Sequence, residues 1–175
     1  MQPTKWFDRQ FDFSHTQNIF PSILERLMGT TARLKEKIST IPAELLTKRM
    51  ADQWTIKEHI GHLSGLEPLW QGRFEDIKND QTELRITDLQ NRKTTEAGHN
   101  DKSIDELINA FNSLRQQTIW SLENIDENTV FKSALHPRLK TPMRTMDHFL
   151  FVAEHDDHHL AAITQLVKQF QNKST

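Results

Sequence analysis

The sequence predicts an all-α fold, a four-helix bundle. Apolar residues recur at spacings of three and four rather than two. Only 5 glycines and 6 prolines interrupt 175 residues. The periodic segments number four, and each carries one apolar stripe that another element must cover. No strand is expected, and the chain reads as a single domain over residues 1–175.

The first helix is expected over about residues 15–39, where Phe20, Leu24, Leu27, Leu34 and Ile38 fall on one face. Pro21 conflicts with an early start and predicts a kinked or irregular first turn. Residues 41–53 form a connector with room for one helical turn. The second helix, about 55–78, opens with a capping box, Thr55-Ile56-Lys57-Glu58, just after Trp54. Its apolar row is Ile56, Ile60, Leu63, Trp70, Phe74 and Ile77, with Gly61 and Gly65 admitting a neighbouring backbone and Pro68 bending the rod. Residues 79–102 are polar and aperiodic, too long for a helix hairpin, and read as a crossover. A second capping box, Ser103-Ile104-Asp105-Glu106, starts the third helix, about 103–125. After an irregular stretch to Lys140, Thr141-Pro142 supplies a cap and a first-turn proline for the last helix, about 142–171.

Composition excludes several classes of function. With 22 Lys+Arg against 24 Asp+Glu the formal net charge is −2, which gives no electrostatic case for nucleic acid. The absence of cysteine removes disulfides, thiolate metal sites and a cysteine nucleophile together. Met1 to Phe13 mixes charges with its aromatics and does not read as an export signal. No apolar run approaches the ~20 residues that span a bilayer, so the expected address is the cytoplasm.

The chemistry-bearing signal is histidine. Nine occur, and three crowd into Glu154-His155-Asp156-Asp157-His158-His159-Leu160. His155 and His159 lie one turn apart on one helix face, a spacing from which two imidazoles grip one metal ion. His158 points about 100° away from His159 and is the least suited of the three. The segment superficially resembles the His-Glu-x-x-His helix of metalloproteases, with the shorter Asp156 in the second position. Residues 160–175 contain no His, Asp or Glu, so a third ligand must come from another element. The second helix offers His59 and His62, and helical phase alone does not choose between them.

Trp54-Thr55-Ile56-Lys57-Glu58-His59-Ile60-Gly61-His62-Leu63, a long polar crossover, and His155-Asp156-Asp157-His158-His159 near the carboxyl end together resemble the DinB/YfiT-like family of helical metalloproteins. The resemblance extends over most of the chain, from roughly Phe13 to Val167. It implies an up-down-down-up bundle, a divalent metal in an open-ended pocket, and frequently a homodimer. It also implies His62, rather than His59, as the second-helix ligand, alongside His155 and His159. Chemistries in such proteins include hydrolysis and thiol-dependent transfer or isomerisation.

Three neutral imidazoles leave a coordination position for water, and a zinc-type ion brings that water's pKa to about 7, so hydrolysis of a small-molecule substrate is accessible. A thiol in the same position would make the site a transferase. A metal-binding stress-response module without turnover is the rival from another class. Zinc and nickel both suit imidazole. Asp156, Glu58 and His148 are the candidate catalytic side chains beside the metal. Asp156 projects toward the apolar side of its helix, where it needs a histidine N–H or a basic group. Glu58 has a sufficient structural role in its capping box. His148 shares the face of His155 about 10.5 Å further along the axis, where it can line the pocket but not share the ion. The four tryptophans and 10 phenylalanines read as core or dimer-interface residues, with Trp70 or Phe74 a candidate pocket wall.

Overall fold

The computed structural model describes residues 4–172. Its long helices are α1 (Phe20–Ser39), α2 (Ile56–Lys78), α4 (Ile104–Leu122) and α6 (Thr145–Asn172), with short helices α3 (Arg92–Glu96) and α5 (Glu127–Phe131) between them. No helix among the described residues is long and apolar enough to cross a membrane.

Cross-helix bonds fix the directions. Ile19 meets Met146, Arg26 meets Asp157 and Lys37 meets Thr164, so α1 and α6 run the same way. Lys57 meets Lys102, Glu67 meets Arg115 and Gln71 meets Thr118, so α2 and α4 also run together. His59 faces His159, whereas the Trp70 carbonyl faces His148, so α2 and α6 oppose one another. The bundle is therefore up-down-down-up. α1 and α2 each pack against both α4 and α6.

Both capping boxes form as the sequence predicts, at Thr55–Glu58 and Ser103–Glu106. Two helix starts differ from expectation. α1 begins at Phe20 rather than near residue 15, with Pro21 inside its first turn, where a missing N–H costs nothing. α6 begins at Thr145, because Pro142–Arg144 forms strand β2, paired antiparallel with β1 (Ser133–Leu135). The expectation of no strand is thus corrected. Thr141 does not cap the helix; its carbonyl accepts from the His136 amide, closing the hairpin, and Asp147 takes the Arg144 amide at the helix start.

The core has two apolar halves with a polar layer between them. Phe20, Ile23, Leu27, Trp70 and Phe149 belong to one half, and Leu34, Ile60, Leu63, Phe111 and Ile163 to the other. Every long helix contributes to the divide: Thr30 from α1, Glu67 from α2, Arg115 and Thr118 from α4, and Asp156 from α6. Arg115 bonds Glu67 at 2.6 Å and Asp156 at 2.5 Å, and Thr30 donates to Asp156. A buried charge needs such partners to be tolerated. Burial works to lower the Arg115 pKa, but the two carboxylates overcome it and hold the guanidinium above its usual range.

The crossover between α2 and α4 is pinned to α2 at Gly61. A Cβ there would stand 2.2 Å from His99 Nδ1, so only glycine lets the His99 ring lie on the helix. That contact carries α3, with the buried Thr94, onto the α2 surface.

Candidate metal centre

Thr55 caps α2 so that His59 and His62 emerge in its first two turns, and both are buried. His155 and His159 approach from the antiparallel α6, a turn apart and equally buried. The Nε2 atoms of His62 and His155 stand 3.3 Å apart, and those of His159 and His155 3.1 Å. His62, His155 and His159 are the one such group among the described residues, with one donor atom from each lying within 4.8 Å of the others.

These spacings suit a common cation. Metal–nitrogen bonds of ~2.1 Å give nitrogen–nitrogen edges of ~3.0 Å at right angles and ~3.4 Å at tetrahedral angles. The charge state also fits. Burial, followed by the charges of His59, His99 and His158, lowers the His62 pKa to about 3. Burial and the neighbouring imidazoles keep His155 and His159 well below the usual value. All three are neutral at pH 7, as ligands must be.

The outer ring nitrogens are arranged to match. Nδ1 of His62 lies 2.8 Å from Thr94 Oγ1, and Nδ1 of His159 lies 2.8 Å from Nδ1 of His59. A proton on each Nδ1 leaves the Nε2 lone pairs directed at one another, the donor set of a cation site. His155 Nδ1 is buried without a partner. His59 thus reaches the ring edge of His159 and stands outside the three-nitrogen cluster. Its pKa is lowered to about 4 by burial and the His158 charge, against the pull of Glu58.

The cluster opens on a cavity of about 800 Å³. Trp54 stands 4.7 Å from the His62 ring and 5.9 Å from that of His159, Trp6 lies 4.9 Å from His155, and Trp70 lies 5.7 Å from His155. Trp54, Trp6 and Trp70 are therefore cavity walls. His158, ranked last among the ligands, faces the same cavity.

The three expected catalytic side chains lie elsewhere, and none lines the cavity. Asp156 is fully buried on Arg115 and Thr30, so the basic partner, not a histidine, answers its need. Glu58 accepts from the Thr55 amide, Arg49 and Asn100. His148 is wholly buried, with Nε2 3.1 Å from the Trp70 carbonyl. Sequence reasoning missed Thr94, Glu67 and Arg115. Glu67 and Arg115 did leave a signal: each is a charge set on an apolar stripe, between Leu63 and Trp70 and between Phe111 and Ile119.

A family model described as DinB superfamily matches residues 23–163. Among solved structures, YfiT from Bacillus subtilis, described as "a probable metal-dependent hydrolase with an unusual four-helix bundle topology", superposes with a TM-score of 0.76 at 16% identity, covering 93% of this chain and 94% of that one. No curated protein matches significantly.

Proposed function

The chain belongs to the DinB superfamily, and from that premise we propose that it is a divalent-metal-dependent hydrolase of a small molecule, with His62, His155 and His159 as the metal ligands and zinc or nickel as the ion. The observation that carries the reading is the convergence of three buried, neutral Nε2 atoms at 3.1 and 3.3 Å on the floor of a large cavity. An ion bound there supplies Lewis acidity and an activated water.

The chain's own residues do the rest. Thr94 and His59 fix the rings of His62 and His159 by accepting their outer protons. Trp6, Trp54 and Trp70 exclude bulk water and strengthen every electrostatic contact inside. Proton handling falls to His158, which faces the cavity, rather than to Asp156, Glu58 or His148. Among the described residues the cluster has three members, with His59 outside it, which supports turnover over a purely structural ion.

The test is metal content and esterase activity together. Protein loaded with zinc or nickel and then dialysed retains one ion per chain and cleaves a chromogenic ester, and His155→Ala loses both while remaining helical by circular dichroism. Unchanged metal content in that variant refutes the assignment. A thiol-dependent transferase is the second reading, favoured by a cavity large enough for two small molecules. In that case a low-molecular-weight thiol alters the absorption spectrum of the cobalt-substituted protein. The address we propose is the cytoplasm. A homodimer is proposed as well, with Trp120, 74% exposed, as its apolar contact.

A further inference from the structure

The end of the cavity beyond Trp70 is built differently from the histidine floor. Arg73, on α2, is 2% exposed and lines the cavity. Its Nε donates to the Arg85 carbonyl and its guanidinium lies over Trp70, and among the described residues no carboxylate pairs with it. The acid whose charge reaches it, Asp76, is held through both oxygens by Arg85. A buried guanidinium without a counter-ion is costly unless something else supplies the charge.

His136 sharpens the point. Its Nδ1 receives two backbone amides, from Arg138 at 3.2 Å and Leu139 at 3.1 Å. Nδ1 is therefore an acceptor, and a neutral ring then carries its proton on Nε2. Yet Nε2 faces Arg73 Nη1 at 3.2 Å, and Nη1 can only donate. Moving the proton to Nδ1 would set it against two amide donors instead, so the conflict persists in either tautomer. Two donors turned toward each other call for an acceptor. A third waits nearby, because Arg138 Nη2 is buried without a partner while Arg138 itself lines the cavity.

We propose that Arg73, Arg138 and the Nε2–H of His136 form an oxyanion subsite that holds the carboxylate or phosphate head of the substrate. Planar guanidinium forks match both groups, and an oxygen between Arg73 and His136 satisfies both donors at once. The subsite deepens the function proposed above, and rests on it only in directing the other end of the molecule to the histidines. Trp70 fixes that geometry, with its ring 5.7 Å from His155 and 5.7 Å from the Arg73 guanidinium carbon. The substrate class is thus a small anion with an apolar or aromatic middle, its scissile bond one indole's breadth from its charged head.

The test uses metal-free protein, so that anion binding is read apart from the metal site, whose occupancy is measured separately. Benzoate, phenyl phosphate and uncharged benzyl alcohol are titrated by calorimetry and tryptophan fluorescence. At least one of the two anions binds tenfold or more tightly than the alcohol, and whichever does identifies the head group. Arg73→Gln and Arg138→Gln each weaken that anion by about tenfold and leave the alcohol unchanged. Arg138→Gln, on a partly exposed loop residue, carries the test should Arg73→Gln fail to fold. Equal binding of anions and alcohol, or undiminished anion affinity in the folded variants, overturns the subsite. Loss of metal binding with anion binding intact would refute only the hydrolase reading.

Discussion

The Nδ1 atoms of His59 and His159 face each other at 2.8 Å, so one donates and the other accepts. If His159 is to present an unprotonated Nε2, its proton must sit on Nδ1 and His59 must accept it. His59→Ala removes that acceptor and is expected to weaken metal affinity by about 10- to 100-fold while preserving one ion per chain. Competition with a chromogenic chelator measures this, and an unchanged affinity would show that His59 is a bystander.

Arg115 holds two carboxylates in the core. Arg115→Met leaves Glu67 and Asp156 buried without their cation, and the expected destabilisation is about 3–5 kcal/mol by urea denaturation. Replacing all three at once by apolar residues of similar volume should cost far less, because no uncompensated charge remains. A single-substitution loss below about 1 kcal/mol would contradict the account.

Acid should destabilise the metal-free protein well above the usual carboxylate range. Burial, then the Arg73 charge, lowers the His148 pKa from 6.5 to about 3, although the Trp70 carbonyl pulls the other way. Between those values the unfolded chain binds a proton that the folded chain does not. The stability this neutral ring contributes is therefore complete above pH 6.5 and falls by about 1.4 kcal/mol per unit below it, or about 2 kcal/mol by pH 5. Urea midpoints at pH 7.5 and pH 5 test this, and His148→Phe should flatten the profile by that one proton. A wild-type midpoint that does not fall between these pH values would refute it.

Gly61→Ala should cost about 1–3 kcal/mol, since the new methyl overlaps the His99 ring. Adding His99→Ser removes the obstacle, and the pair should be less destabilised than the sum of the single changes. Additive losses in thermal unfolding would place the cause elsewhere.

What the sequence made legible was local. Thr55–Glu58 and Ser103–Glu106 are complete capping signals within four residues, and helical phase alone puts His155 and His159 on one face. What it hid depends on partners distant in the chain. Thr141-Pro142 carries a helix-start signal, but pairing of Pro142 with Leu135 overrides it. Asp156 could be seen to point inward, yet its partner Arg115 sits 41 residues away on a rod whose placement the sequence does not give. Thr94 lies in an aperiodic crossover, where no pattern marks the threonine that reaches His62.

The polar divide across the core acts as an index mark on four otherwise greasy rods. Leucine and phenylalanine rows tolerate a slip of one turn, about 5.4 Å, by finding new apolar neighbours. Asp156 does not, because the same slip would strand it from Arg115 in a medium without water. Since His155 precedes that aspartate and His159 lies less than a turn beyond it, locking the charge also meters the imidazoles of α6 against His62.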